Sequence, residues 1–137
     1  MKATKPYTNV LHHIPVAYET LPDLLCSADL HILFQKNDVI DTVMPSKLLG
    51  MMASAKPSLV TGNSASEIAQ VFKISKGGYF YDSNAFDKVI HTIEKLCNNR
   101  SENISIGKNA RRYIIKHYAS EKVLHHFESK IQEVIHR

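Results

Sequence analysis

The sequence predicts an α/β fold with a Rossmann-like parallel sheet, flanking helices and a helical C-terminus. Short apolar runs alternate with amphipathic helical runs as far as residue 98, an order typical of parallel strands joined by helices. After residue 98 only helical periodicity follows. The chain has 137 residues, 44% of them apolar, which suits one globular domain of ordinary composition.

Caps and turn residues set the expected boundaries of the helices and strands. Thr20 suits an N-cap and Pro22 the first helical turn, where a missing N–H costs nothing. Ser64 and Glu67 stand at the spacing of a capping box. The expected strands are 9–14, 29–35, 57–61 and 77–81, and the expected helices are 19–28, 45–54, 64–72, 84–98, 101–118 and 120–136.

The net charge of +4 is unevenly distributed along the chain. Residues 1–83 contain seven Lys or Arg and seven Asp or Glu, whereas residues 84–137 contain ten against six. Such a surplus is typical of a solvated helix face, and it also suits a surface near anionic lipid or a phosphate-bearing substrate. Nucleic-acid binding is not expected, because the basic residues do not interleave with aromatic ones.

The cysteines and histidines indicate neither a disulfide framework nor a metal centre. Cys26 and Cys97 lie far apart among apolar helical neighbours, so both are expected to be small buried side chains in a cytoplasmic protein. The adjacent histidines at 12–13 and 125–126 would point in different directions on a strand or a helix. No phosphate-binding glycine loop or nucleophile turn is present.

The start of the helix predicted at 45–54 is the strongest indication of a binding site. In open parallel sheets, ligands bind outside the carboxyl ends of the strands, where the helices begin. A helix N-terminus has free N–H groups and the positive end of a dipole. Pro45 suits the first helical position, Ser46 can donate a hydroxyl, and Lys47 adds a positive charge. This combination suits a phosphate or a diphosphate, although plain capping beside an exposed lysine gives the same pattern.

The order of several segments resembles the C-terminal, donor-binding domain of GT-B glycosyltransferases. These segments are "LPDLLCSADLHILF", "VMPSKLLGMMASAKPSLVTG", "SEIAQVF" and "GGYFY". The likeness is to the retaining group 1 family that builds bacterial polysaccharides and lipopolysaccharides, and within it to the subgroup similar to colanic-acid-type transferases. It covers residues 9–118, so residues 1–137 are expected to form one nucleotide-sugar-binding domain. No cofactor is implied, because the nucleotide-diphosphate sugar is itself the donor substrate.

The resemblance also implies roles for individual residues. Lys47 and the helix dipole would stabilise the departing diphosphate, and Asp41 would substitute for a family glutamate or serve as an ordinary loop acid. Glu67 would be either a ligand residue or the capping partner of Ser64. The donor-binding residues implied are Pro15, Val16, Val43, Met44, Pro45, Ser46, Lys47, Leu48, Gly50 and Glu67.

The sequence departs from the family pattern in two respects. Thr42 and Gly50 stand where many members carry two glutamates. The first two strand–helix units of the family domain, with a glycine-rich turn and an Arg/Lys pair, have no counterpart before Asn9, and the acceptor-binding domain is missing. We therefore expect the chain to be a truncated part of a longer enzyme and to be inactive alone. The 9–14 strand would then pair with the 29–35 strand, or two chains would pair through their open sheet edges.

The function expected from the resemblance is transfer of a sugar from a nucleotide-diphosphate donor to a saccharide acceptor in cell-surface polysaccharide or lipopolysaccharide synthesis. The acceptor would be a saccharide or lipid-linked saccharide bound by the missing domain, at the inner face of the cytoplasmic membrane. The alternative is a non-catalytic α/β module that binds a nucleotide or a protein partner, which the absent carboxylates favour.

Overall fold

The computed structural model describes residues 7–38 and 44–135, and it shows the α/β architecture that the sequence predicts. A 3₁₀ turn at Tyr18–Thr20 leads into the first helix. The helices are α1 Leu21–Ser27, α2 Ser46–Ala53, α3 Glu67–Ser75, α4 Phe86–Asn98, α5 Arg100–Tyr118 and α6 Ser120–Ile135. The strands are β1 His31–Phe34, β2 Ser58–Gly62 and β3 Gly78–Asp82.

The three strands form one parallel sheet in the order β1-β2-β3. All five residues of the central strand β2 are buried, as expected for a strand that helices cover on both faces. Val60 packs on one face, in a core that also contains Met52 of α2, Phe72 of α3 and Ala110 of α5. On the other face, the Tyr81 hydroxyl lies 2.7 Å from the Thr92 hydroxyl of α4.

The strand predicted at 9–14 is wrong. These residues are exposed and adopt no strand, and β1 pairs only with β2 among the described residues. An extended segment is stabilised by a neighbouring strand and a covered face, and here it has neither. The pairing of 9–14 with β1 therefore does not occur within one chain. Pairing of two chains through the open edge of β1 stays a prediction.

The predicted capping box is also wrong in its details. The helix begins at Glu67, and Ser66 is its N-cap, with its hydroxyl oxygen accepting a hydrogen bond from Ala69 N–H at 3.4 Å. The reason lies in the preceding turn. The Asn63 side-chain oxygen accepts from Ala65 N–H at 2.9 Å, and the Asn63 carbonyl accepts from Ser66 N–H. These bonds hold residues 63–66 in a turn and delay the helix.

The burial predicted for the two cysteines is wrong as well. Both Cys26 and Cys97 are exposed thiols. Their neighbours are apolar, yet α1 buries none of its residues and α4 buries Val89, Thr92 and Leu96 instead. The Met51–Met52 pair, in contrast, fills the core as expected.

One polar cluster joins β3, α4 and α5 on the α4 side of the sheet. The Tyr79 hydroxyl donates to Glu102 Oε1 at 2.9 Å, and Lys95 Nζ lies 2.6 Å from the same oxygen. The hydrogen bonds from Lys95 and then Tyr79 lower the pKa of Glu102. The hydrogen bond to Glu102 raises the pKa of Lys95. The pKa of Tyr79 is also raised, first by burial of its hydroxyl and second by its hydrogen bond to Glu102.

This cluster gives a prediction for acid stability. Because the pKa of folded Glu102 is lowered, its contribution is present above the unfolded-state pKa and is lost as the pH falls through the folded-state pKa. Glu102→Gln should therefore lower Tm near neutral pH, and the difference from the wild type should shrink as the pH is lowered. Thermal unfolding across the acid range measures this, with the exposed Glu94→Gln as control. A Tm difference independent of pH would show that the carboxylate charge contributes nothing.

No helix within the described ranges is long and apolar enough to span a membrane.

Candidate functional site at the carboxyl edge of the sheet

The carboxyl ends of the three strands form one edge of the sheet, called here the carboxyl edge. Two side chains hold its loops together. Asn63 donates to the Asn37 carbonyl at 3.0 Å, joining the loops after β2 and β1. Ser83 donates to the Gln35 carbonyl at 3.1 Å, joining the loops after β3 and β1. Sequence reasoning missed both residues, although a small polar residue soon after a strand is the signal that could have suggested them.

Helix α2 begins at this edge. Its far end is fixed at the start of β1, because the Ser54 hydroxyl lies 3.0 Å from His31 Nε2. The helix therefore runs back along the sheet, with Ser46 and Lys47 at the carboxyl edge. Burial is the main cause that lowers the pKa of His31, so its ring is favoured in the neutral form at this anchoring contact.

The N-terminus of α2 is exposed and has no side-chain cap. Pro45 occupies the N-cap position, one residue earlier than predicted, and its carbonyl accepts from Leu48 N–H at 2.9 Å. Within the described ranges, the N–H groups of Ser46 and Lys47 have no hydrogen-bond partner. Both side chains are exposed, and Lys47 forms no salt bridge with a described carboxylate. This end of the helix therefore presents two N–H donors, a hydroxyl and an ammonium group.

Other predicted donor-binding residues are placed less favourably for side-chain contacts. Met44 and Leu48 are buried in the core, so only their backbone can meet a ligand. Gly50 lies against α1, where an added Cβ would stand 3.2 Å from Leu25 Cδ1. This neighbour is the end of a flexible side chain, so the contact does not by itself require a glycine, and the donor-binding role of Gly50 stays a prediction.

The remaining predicted residues divide into described and undescribed positions. Pro15 and Val16 are exposed in the extended stretch before the 3₁₀ turn. Glu67 is exposed in the first turn of α3. The pKa of Tyr118 is raised mainly by burial, with smaller contributions from Tyr113 and from the charge of Glu67. Asp41 and Val43 lie outside the described residues. The structure thus brings Ser46, Lys47 and the start of α3 to one edge.

Metal ligands are not grouped in the described part of the chain, where no three His, Cys, Asp or Glu side chains come together. The groups available at the start of α2 are backbone N–H donors, a hydroxyl and the Lys47 ammonium. Such groups bind and stabilise oxyanions.

Comparison with known proteins gives one informative similarity. Over 61 residues, 44% of this chain, the sequence is 33% identical to WcaI of Escherichia coli (strain K12), whose assignment as a glycosyl transferase of colanic acid biosynthesis is itself provisional. The aligned segment spans 15% of the length of that protein. No protein-family model matches the chain, and no solved structure gives a significant match. Part of the chain is thus similar to part of a glycosyl transferase.

Proposed function

We propose that this chain is the donor-binding part of a glycosyltransferase of the GT-B type. It would serve the transfer of a sugar from a nucleotide-diphosphate donor to a saccharide acceptor in cell-surface polysaccharide or lipopolysaccharide synthesis. The observation that carries the proposal is the uncapped, exposed N-terminus of α2 with Lys47 at the carboxyl edge. The partial similarity to a glycosyl transferase supports it.

The chemistry asked of this chain is stabilisation of a leaving group. In the transfer, the bond between the sugar's anomeric carbon and the diphosphate oxygen breaks, and its electron pair leaves with the diphosphate. A bond forms from the acceptor hydroxyl oxygen to that carbon, and the hydroxyl proton passes to the departing phosphate oxygen or to water. Lys47 and the N–H groups at the start of α2 would stabilise the growing negative charge. Asp41 is the proposed carboxylate beside the donor sugar.

Acceptor binding is assigned to another domain of the same enzyme. That domain would bind a saccharide or lipid-linked saccharide acceptor, with peripheral association at the inner face of the cytoplasmic membrane. We therefore propose that the chain by itself binds the donor and transfers no sugar. Self-association through the open edge of β1 is part of the same proposal.

A non-catalytic module that binds a nucleotide or a protein is the second candidate. Gly50, which stands at a position where many family members have a glutamate, supplies no carboxylate. A module of this kind would keep the oxyanion site and lack the carboxylates that accept hydrogen bonds from the donor sugar.

The proposal is tested by titrating the labelled 137-residue chain with nucleoside diphosphates and nucleotide sugars and following its backbone amide signals. We expect both ligands to shift the signals of Ser46, Lys47 and Leu48, and nucleotide sugars to shift further signals near the loop before α2. Shifts with the nucleoside diphosphate alone would support the non-catalytic module. If neither ligand affects this end of α2, the donor-binding proposal is wrong.

A further inference from the structure

A cleft lies at the opposite edge of the sheet, where the strands begin. It has a volume of about 680 Å³ and lies between the segments preceding β1 and β2 and the corner between α4 and α5. Asp29 and Pro57, each one or two residues before a strand, line it together with Leu96 and Cys97 from the end of α4. The proposed donor site is at the other end of the strands, so this cleft is a separate feature.

Three cationic side chains line this cleft, one from the turn before β2 and two from α5. Lys56 comes from the turn before β2, Arg100 from the first residue of α5, and Lys108 from the middle of α5. None of these three side chains forms a salt bridge with a carboxylate in the described ranges. Asp29 lines the same cleft, and it too is not paired with any of them. The cleft therefore contains three cations with one carboxylate, which leaves an excess of two positive charges.

A tight contact between two neighbouring residues places the backbones of Lys56 and Lys108 beside each other. Gly107 of α5 packs directly on the Ala55 carbonyl group, so that a Cβ on Gly107 would lie 2.6 Å from the carbonyl carbon. Ala55 has a left-handed backbone, with φ of 59°, which turns the chain from α2 into β2. Lys56 and Lys108 are the next residues after these two. The contact thus holds the backbones of both lysines at the cleft.

The corner between α4 and α5 adds a neutral hydrogen-bond acceptor. Asn103 donates from Nδ2 to the Leu96 carbonyl at 2.8 Å, which identifies its other side-chain atom as the oxygen. That oxygen, Oδ1, is buried and has no hydrogen-bond partner in the described ranges. A buried acceptor without a donor is costly, so a ligand hydroxyl group that reached it through a small displacement of the cleft wall would relieve that cost.

We propose that this cleft at the amino ends of the strands binds a phosphorylated polyol. Lys56, Arg100 and Lys108 would contact the phosphate group, and a hydroxyl group of the ligand would donate to Asn103 Oδ1. Two sources offer this chemistry, a soluble phosphate ester and the phosphoglycerol headgroup of an anionic lipid. The site is independent of the proposed donor site, and its test uses a different ligand and different residues.

The test uses the whole labelled chain with glycerol 3-phosphate, inorganic phosphate and glycerol as probes. We expect glycerol 3-phosphate to shift the amide signals of Lys56, Arg100, Asn103 and Lys108, inorganic phosphate to bind more weakly, and glycerol not to bind. The triple variant Lys56→Gln, Arg100→Gln, Lys108→Gln should weaken binding about 1,000-fold, because each cation lost from a charged hydrogen bond costs roughly tenfold.

A control with the same change of charge separates a built site from general attraction. Lys73, Lys88 and Lys116 are exposed and lie outside the cleft. Their joint replacement by glutamine should leave the affinity for glycerol 3-phosphate within about twofold, a difference too small to indicate a lost contact. Equal weakening by the two triple variants, or failure of the wild type to bind glycerol 3-phosphate and lipid alike, would overturn the proposal.

Vesicles distinguish the two sources. Wild-type chain that binds vesicles of phosphatidylglycerol and phosphatidylcholine, but not of phosphatidylcholine alone, would identify a lipid headgroup, provided that the cleft variant loses this binding. Binding of glycerol 3-phosphate without vesicle binding would identify a soluble ester. Vesicle binding that survives in the cleft variant would place lipid contact elsewhere and contradict the headgroup assignment.

Discussion

Gly107→Ala is expected to lower the stability of the chain by about 2 kcal/mol or more, which corresponds to a fall in Tm of roughly 6–10 °C. The added Cβ would overlap the Ala55 carbonyl oxygen. The obstructing atoms are backbone, so relief requires α5 to move away from α2 and from the core around Ala110. The gain of up to about 1 kcal/mol for removing a glycine from a helix offsets only part of this cost.

Gly50→Ala is the matched control for that variant. It is also a glycine-to-alanine change inside a helix, so the gain in helix propensity is similar. The atom nearest to its new Cβ is Leu25 Cδ1 at 3.2 Å, the end of a side chain that can shift. Thermal unfolding should therefore show an unchanged or slightly higher Tm for Gly50→Ala. Equal Tm values for the two variants would mean that the contact between Gly107 and Ala55 does not constrain the fold.

Lys47→Ala is expected to weaken the binding of a nucleoside diphosphate about 10- to 150-fold, the equivalent of roughly 1.5–3 kcal/mol for a charged hydrogen bond. The reason is that Lys47 is the exposed cation in the first turn of α2, beside N–H groups that have no partner among the described residues. Tm should change little, because this lysine forms no salt bridge with a described carboxylate. Isothermal titration of the wild type and the variant measures the difference.

Two further variants test whether the loss of affinity in Lys47→Ala is due to the charge at this position. Lys73→Ala removes an exposed lysine from α3, away from the start of α2, and should leave the affinity unchanged. Lys47→Arg keeps the charge and should restore part of the affinity. Since the interaction is electrostatic and exposed, the wild-type affinity should also fall as salt is added. An affinity that Lys47→Ala leaves unchanged would remove the basis for the proposed donor site.

The helices and strands from α1 onward were predictable from local patterns in the sequence. The run from Met44 to Ala53 has apolar residues on most sides of a helix, and its burial between the sheet and α5 follows from that pattern. The short apolar run of β2 indicated a strand covered on both faces. The start of α2 at the carboxyl edge followed from the alternation of strands and helices, since a parallel connection returns each helix start to that edge.

The tertiary structure decided the features that depend on distant neighbours. Residues 9–14 were predicted as a strand but have no partner strand, whereas β1 with only four residues has β2 beside it. Ser66 replaced Ser64 as the helix cap because Asn63 holds the preceding turn. No local pattern could show such outcomes, since each depends on which hydrogen-bond partner is available.

The sequence by itself determined the α/β class, the order of helices and strands from α1 onward, and the placement of Ser46 and Lys47 at a helix start. These features were predictable because apolar periodicity and the position of a proline are local signals, carried by residues that are close together in the sequence. Only the tertiary structure decided that Gly107 must meet Ala55, and that Lys56 and Lys108 therefore stand at one cleft. These residues are about fifty positions apart, and close packing of α5 on the end of α2 is what brings them together.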